Sequence, residues 1–295
     1  MRQQYTVEKF TSGNRDKIAV ISSILNEYIK AGYKLTVRTL YYQMVARGFI
    51  PNNEREYKMI TNLVSKARNA GLLDWDAITD GGRAFIANPH WESGKQILEG
   101  AAEGFDMDHW ENQDRRVFCI IEKDALRSIV RGTCSQWDVP LMAAKGYPSA
   151  SVVRDFVKYT CIPAADAHQH LVLLHMGDHD PSGIDMSRDL EERINLYGEG
   201  RFRIDFRRIA LNMEQIEEQS PPPNPAKARD PRFLSYSDQF GDESWELDAL
   251  TPQYTNSVLS DAIQEHLDQD AWDIKQAQID DVKDELRKVA ENFDK

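Results

Sequence analysis

The chain has 295 residues, of which 41% are hydrophobic and 28% charged, a composition typical of a globular protein rather than a disordered one. No apolar run approaches the roughly 20 residues that a membrane span requires, and the N-terminus lacks the apolar core of a signal peptide. The three cysteines have neither zinc-site nor disulfide-framework spacing, so we expect a cytoplasmic protein with no membrane partner.

The net charge of −12 is unevenly distributed along the chain. Residues 1–70 contain twelve Lys or Arg against five Asp or Glu, which gives +7 and leaves −19 on the other 225 residues. We call residues 1–70 the basic head and the remainder the acidic body. Because Lys and Arg are attracted to the phosphate backbone, this polarity favours a head that binds nucleic acid.

The first part of the chain, residues 1–105, is predicted to form three helices followed by a hairpin. The helices are expected over 16–31, 36–48 and 54–70, and the extended segments over 72–79 and 83–86. This order is typical of a winged-helix domain, whose third helix enters a DNA groove, although a generic helical bundle fits the pattern as well. The third helix offers four basic side chains on its outer face: Arg55, Lys58, Lys66 and Arg68.

From residue 106 to residue 295 the pattern changes to strands that alternate with helices. Continuous apolar runs at 117–121 and 171–176 are typical of buried parallel strands. Shorter strands are predicted at 140–143 and 203–211, and helices at 124–132, 149–159 and 184–196. We therefore predict an α/β domain with a mainly parallel sheet. An apolar stripe over 279–293 predicts a C-terminal helix that docks either on this domain or on a partner chain.

Two of the predicted strands end in carboxylates. Glu122 directly follows the run 117–121, and Asp178 and Asp180 follow the run 171–176. The carboxyl ends of the strands form the ligand-binding edge of an open parallel sheet, so we expect the three acids to meet there. Gathered carboxylates repel one another unless a cation neutralises them, and Mg²⁺ prefers oxygen ligands. The pattern thus predicts a Mg²⁺ site, the alternative being acids that only end strands or cap helices.

The placement of these acids after two strands also resembles a known metal-binding module. A strand that ends in Glu122, followed by a strand that ends in Asp178-x-Asp180, is similar to the TOPRIM domain of topoisomerases, primases and some nucleases. The strings GDHDPSGIDM and AAKGYPSAS resemble in particular the A subunit of topoisomerase VI and its meiotic double-strand-break relatives. The resemblance implies a Rossmann-like TOPRIM fold with bound Mg²⁺, preceded by a winged helix, in a chain as compact as the Mini-A form.

The string Arg38-Thr39-Leu40-Tyr41-Tyr42 resembles the Arg-x-x-Tyr-Tyr motif of the same family. The resemblance implies that Tyr42 attacks DNA to form a 5′-phosphotyrosine link, with Arg38 as a phosphate contact and Glu122 in the catalytic set. A phenol with a pKa of about 10 is a weak nucleophile, so a metal ion and an arginine are needed to stabilise charge on the phosphate. The alternative is that both tyrosines only pack inside the head.

The resemblance also implies partners. The family acts on double-stranded DNA as a homodimer in which each Tyr42 faces the metal site of the other protomer. No phosphate-binding G-x-x-x-x-G-K-[ST] motif occurs in the sequence, so ATP-driven strand passage needs a separate ATPase subunit. We therefore expect a nucleoid-associated protein that makes Mg²⁺-dependent double-strand breaks. Two alternatives stay open: a TOPRIM nuclease that hydrolyses DNA without a covalent intermediate, and a non-enzymatic DNA-binding module.

Four further polar residues have less specific expectations. Asp185 is a candidate for the outer sphere of the metal site, and His179 is a candidate phosphate contact. Glu246 and Asp248 either join the acidic site or serve a buried structural role, with the second reading favoured.

Overall fold

The computed structural model describes residues 1–79, 88 and 90–293. Its α-helices are α1 (Ser12–Lys30), α2 (Val37–Ala46), α3 (Glu54–Asn69), α4 (Gly94–Gly104), α5 (Arg127–Gln136), α6 (Ala150–Phe156), α7 (Ile162–Asp166), α8 (Pro181–Tyr197), α9 (Met213–Gln219), α10 (Phe233–Phe240), α11 (Pro252–Gln264) and α12 (Gln269–Glu291). Short 3₁₀ segments occur at Asp124–Leu126 and Leu247–Ala249, and a π-helical turn occurs at Val157–Cys161.

The acidic body is built on a four-stranded parallel sheet, which confirms the predicted fold class at the level of an α/β domain. Its strands are β1 (Arg115–Ile121), β2 (Leu141–Ala143), β3 (His170–Met176) and β4 (Asp205–Ala210), in the spatial order β2-β1-β3-β4. All three pairings are parallel. A two-stranded antiparallel ribbon of β5 (Asn224–Pro225) and β6 (Glu243–Ser244) lies in the later part of the chain. The arrangement is compatible with a Rossmann-like fold.

Both faces of the sheet are covered, which explains why β1 and β3 are continuous apolar runs. Along β1, Cys119 and Ile121 pack with α5 and α11 on one face. Phe118 and Ile120 pack with α6 and α8 on the other face. The two strands lie side by side in register from Arg115 opposite His170 to Ile121 opposite Met176, so their carboxyl ends coincide. This register places the residues that follow each strand at one edge.

The basic head has a separate apolar core formed by α1, α2 and α3. Each helix begins at a side-chain N-cap, supplied by Thr11, Thr36 and Asn53 respectively, because such oxygens accept hydrogen bonds from the first turn. Of the predicted hairpin, residues 72–79 contain one isolated parallel bridge between Ile78 and Leu35 and no strand. The other predicted arm, 83–86, lies outside the described residues.

The C-terminal helix docks on its own chain, although its main contact lies outside the predicted domain 106–295. Helix α12 packs along α4, a helix that the sequence pattern did not predict. Trp272 near the start of α12 joins the core of the body and stacks on His109, with ring centroids 4.2 Å apart. Of the helices in the described ranges, none is long and apolar enough to span a membrane.

Candidate active site at the carboxyl edge of the sheet

The structure brings Glu122, Asp178 and Asp180 to one place, which we call the acidic edge. Glu122 continues β1 by donating its backbone N–H to Met176 O of β3 at 2.9 Å. Its side-chain Oε2 then accepts the backbone N–H of Asp178, also at 2.9 Å. The predicted convergence of the two strand ends therefore rests on direct hydrogen bonds between them.

Asp180 occupies the N-cap of α8. Its Oδ1 accepts the backbone N–H of Gly183 at 2.7 Å and the hydroxyl of Ser182 at 3.0 Å. The first turn of α8 requires glycine at position 183, because a Cβ there would lie 2.2 Å from Asp178 O and 3.2 Å from Glu122 Oε2. The exposed Lys227 approaches from the loop after β5, with its Nζ 3.8 Å from Asp180 Oδ2. Asp180 is thus a helix cap that also faces Glu122.

Burial and neighbouring charges shift the pKa values of the carboxylates at the acidic edge. Burial raises the pKa of Glu122, and the negative charge of Asp180 raises it further. Burial also raises the pKa of Asp178, although the Lys123 ammonium opposes this shift. Within the described part of the chain, no three His, Cys, Asp or Glu side chains already stand in a metal-coordinating arrangement. The donor set consists of oxygens alone, which suits Mg²⁺ chemically, and the ammonium groups of Lys123 and Lys227 lie 2.6 Å from Asp178 and 3.8 Å from Asp180.

A second cluster of charges joins the acidic edge to the basic head. The Lys123 ammonium lies 2.6 Å from Asp178 Oδ2 and 3.4 Å from Asp248 Oδ1, and it also pairs with Glu246. From helix α2, Arg38 places Nη2 2.7 Å from Glu246 Oε2 and Nε 2.6 Å from Asp248 Oδ2. We call these five residues the charge network. Asp248 is fully buried within it.

The network depends on the segment around residues 245–248, where the sequence analysis gave two alternative roles for Glu246 and Asp248. Trp245 and His179 exchange two backbone hydrogen bonds, of 2.8 and 2.9 Å. Two residues further on, the backbone N–H of Leu247 donates to Asp178 Oδ1 at 2.8 Å. Glu246 and Asp248 pair with Lys123 beside Asp178, and Asp248 has the buried position that the favoured expectation gave it. Burial opposes ionisation of Glu246, but Lys123 and Arg38 lower its pKa to about 2.

Tyr42 lies on α2 one turn after Arg38, whose guanidinium carbon is 5.8 Å from the centre of the phenol ring. Only 6% of Tyr42 is exposed, and it lines a cavity of about 210 Å³ together with Arg38 and Asn52. Burial, reinforced by Glu246 and Asp248, raises the pKa of Tyr42 to about 12. Its neighbour Tyr41 is tied into the loop before α3, with its hydroxyl accepting the backbone N–H of Asn53 at 2.8 Å. The phenol at the candidate site is therefore neutral in this conformation.

Other sequence expectations have different outcomes. His179 is buried, with Nδ1 2.8 Å from the Tyr236 hydroxyl, and it packs against Phe240, so it does not face a phosphate. Asp185 binds Tyr147 and Arg232 on the outer side of α8. On α3, Arg68 is not free on the outer face as expected, because it lies over the ring of Trp75.

Two cationic residues of the site were missed by sequence reasoning, Lys123 and Arg208. Lys123 is adjacent to Glu122 in sequence, but a lone Lys after an acid carries no distinguishing signal. The guanidinium of Arg208, in β4, lies under the turn that carries Asp178 and Asp180. Its position follows from strand order, which the sequence does not specify. No protein-family model matches the chain, and no curated protein matches it.

Proposed function

We propose that the protein cleaves double-stranded DNA by Mg²⁺-dependent transesterification, with Tyr42 as the nucleophile. The observation that carries this proposal is that Arg38, beside Tyr42 on α2, shares one charge network with Asp178, which lies 136 or more positions away from both. In this proposal the acidic body is a TOPRIM domain and the head a winged helix, as in the A subunit of topoisomerase VI. A Tyr42 that only packed in the head would not need a position beside Arg38 and the charge network.

Glu122, Asp178 and Asp180 would hold the Mg²⁺ ion. The mutual repulsion of Glu122 and Asp180, which raises the pKa of Glu122, is relieved by a bound divalent cation. When bound, Mg²⁺ stabilises the negative charge that develops on a reacting phosphate. The Lys123 ammonium pairs with Asp178 and so compensates part of the negative charge in this group of carboxylates.

The reaction exchanges one phosphoester for another. The Tyr42 hydroxyl oxygen attacks phosphorus, the bond from phosphorus to the 3′ oxygen breaks, and the 3′ oxygen takes up a proton as the phenol loses one. The product is a 5′-phosphotyrosine link and a free 3′ hydroxyl, and the reverse reaction reseals the strand. Arg38 supplies a planar, always charged donor to the phosphate. Arg38 is paired with Glu246 and Asp248 in this conformation, so a DNA phosphate must replace these carboxylates at the guanidinium.

A double-strand break requires two active sites. We propose a homodimer with one cut per protomer, in which Tyr42 serves either its own acidic edge or that of the partner. Here α2 docks on the body of its own chain, where Arg38 pairs with Glu246 and Asp248 of the charge network. Strand passage would draw on a separate ATPase subunit, and the protein would be associated with the nucleoid.

A hydrolytic nuclease is the second candidate, and one observation favours it. Tyr42 is almost fully buried and its pKa is raised to about 12, which makes it a poor nucleophile as it stands. In that case the acidic edge serves attack by water, and Tyr42 is structural. A DNA-binding module without turnover would use the same basic head and leave the acidic edge without a chemical role.

The test is a cleavage assay on supercoiled plasmid with Mg²⁺, quenched in detergent and run on a gel with and without proteinase. We expect breaks that carry covalently attached protein, that disappear in Tyr42→Phe and that persist in Tyr41→Phe, the matched control one residue away. Free-ended breaks that survive Tyr42→Phe would replace the transesterase with the nuclease. DNA binding without any break, in the presence of Mg²⁺ and at every protein concentration, would leave only the binding module.

A further inference from the structure

Arg208 of β4 makes an unusually large set of contacts for one side chain. Its Nη1 donates to Gly183 O at 3.1 Å and to Ser187 Oγ at 2.9 Å. Its Nη2 donates to Gly177 O at 2.9 Å, Asp178 O at 2.6 Å and Leu211 O at 3.3 Å. One guanidinium therefore ties together the end of β4, the turn after β3 and the first turn of α8.

The turn that Arg208 holds, residues 177–183, is the segment that carries two acids of the acidic edge. Asp180 restrains this turn from one side by accepting the backbone N–H of Gly183. Arg208 restrains it from the other side by donating to the carbonyl of the same residue. Without Arg208, the carbonyl oxygens of Gly177 and Asp178 would lose its N–H donors while lying next to a cluster of carboxylates. The carbonyl dipoles would then add to the repulsion among these carboxylates.

The positive charge of Arg208 is not used in an ion pair within the described residues, since its bonded partners are carbonyls and a hydroxyl. Burial lowers the pKa of Arg208 to about 10, and the acids that oppose this shift are Glu122, Asp178 and Asp180. Gly177 lies between these charges, because a Cβ there would be 3.0 Å from Glu122 Oε2 and 3.2 Å from Arg208 Nη1. Arg208 thus places one positive charge beneath the acidic edge, where it interacts with Glu122, Asp178 and Asp180.

Only arginine fits this position. Its guanidinium presents five N–H groups in a planar fork, whereas lysine has three donors on a single nitrogen and cannot reach separate carbonyls of the turn at once. Lysine keeps the charge, however. Arg208→Lys therefore separates the hydrogen-bond geometry from the electrostatic contribution.

We propose that Arg208 is the positioning residue of the acidic edge: it fixes the turn 177–183 so that Glu122 and Asp180 present their oxygens to one divalent cation. This inference rests on the proposed function, and it assigns Arg208 no contact with DNA. Residues that orient metal ligands in this way typically change metal affinity by about 10- to 100-fold when they are replaced. Affinity for the metal is therefore the property to measure.

The experiment measures Mn²⁺ binding to the full chain by EPR, with Mn²⁺ as the probe in place of Mg²⁺. We expect Arg208→Lys to weaken Mn²⁺ binding by about 10-fold or more. The same substitution at the neighbouring Arg207, which pairs with Asp205 and Glu265 at the surface, should leave binding unchanged. Ser187→Ala removes one acceptor of Arg208 and should give a smaller loss, of about 2- to 3-fold. Ser187→Ala also tests the inference if Arg208→Lys does not fold.

Each outcome distinguishes this inference from the proposed function. A purely structural role lowers the Tm of Arg208→Lys but leaves the Mn²⁺ affinity of the folded protein at the wild-type value, which would overturn the inference and spare the metal site. Wild-type protein that binds Mn²⁺ no better than Asp180→Asn would overturn the metal site and the inference together. Under the inference, cleavage by Arg208→Lys recovers toward the wild-type rate as Mg²⁺ is raised to saturation.

Discussion

Asp180 illustrates how one carboxylate serves structure and chemistry at the same time. Its Oδ1 caps α8, an ordinary role for an Asp at the start of a helix. Its charge also opposes ionisation of Glu122 across the acidic edge, which is a cost that capping alone does not require. Asparagine is an equally good cap without the charge, so the two roles are separable by substitution.

We predict that Asp180→Asn and Asp180→Ala differ in stability but not in activity. The asparagine variant keeps the cap, so its free energy of unfolding should lie within about 0.5 kcal/mol of the wild-type value. The alanine variant should have a free energy of unfolding about 1 kcal/mol lower than the wild type. Both should lose Mg²⁺-dependent cleavage, because neither supplies a metal-binding carboxylate. Chemical denaturation and the plasmid assay measure the two effects. Full cleavage by Asp180→Asn would reduce Asp180 to a helix cap.

At the scale of elements, the decisive contact is the docking of α2 on the 3₁₀ segment Leu247–Ala249. Ala249 contributes to the apolar core of the head, while Asp248 beside it is fully buried against Arg38 and Lys123. The body contributes one cation, Lys123, to this buried charge network. Removing one partner of a buried network leaves uncompensated charge, so the network should respond as a unit.

We predict that Lys123→Met lowers the free energy of unfolding by about 3–5 kcal/mol, because three carboxylates lose their shared ammonium. The control is Lys145→Met, which breaks an exposed pair with Asp124 at 3.3 Å and should cost less than about 1 kcal/mol. Urea denaturation of both variants gives the comparison. Equal effects would mean that the network contributes no more than a surface ion pair.

At the scale of the whole molecule, the sequence carries opposite charge in its two parts. The head has +7 and the remaining residues −19. On α3, Lys58 and Lys66 are exposed, as expected from the sequence, whereas the acidic edge lies in the body. An acidic body repels the DNA backbone, so the head must supply the attraction that brings a phosphate to the charge network.

We predict that Lys58→Glu combined with Lys66→Glu weakens binding to a short DNA duplex and reduces the slope of log K against log salt by about 1.8, for two lost phosphate contacts. Fluorescence anisotropy in EDTA measures binding without cleavage. The matched control is Arg287→Glu with Lys288→Glu on the exposed face of α12, which makes the same charge change outside the head. An equal loss in both double variants would indicate a response to net charge alone.

Much of the fold follows from local patterns. The apolar runs predicted β1 and β3, and Thr36 and Ser149 predicted helix starts that the structure contains. Helix α4 was missed, although Gly94–Gly104 has an amphipathic pattern and Ser93 caps its start. The assignment of the head to a winged helix stays a prediction.

The sequence by itself determined the two strands, the acids that follow them and the Arg-x-x-Tyr-Tyr string, since strand periodicity and the residues at strand ends are local properties of the chain. Only the tertiary structure decided that Arg38 meets Glu246, 208 positions away, and that Arg208 lies under the turn 177–183. The physical reason is that a side chain has no assigned partner until strand order and helix docking bring distant segments together. Lys123 is a cation among acids only after that packing has occurred.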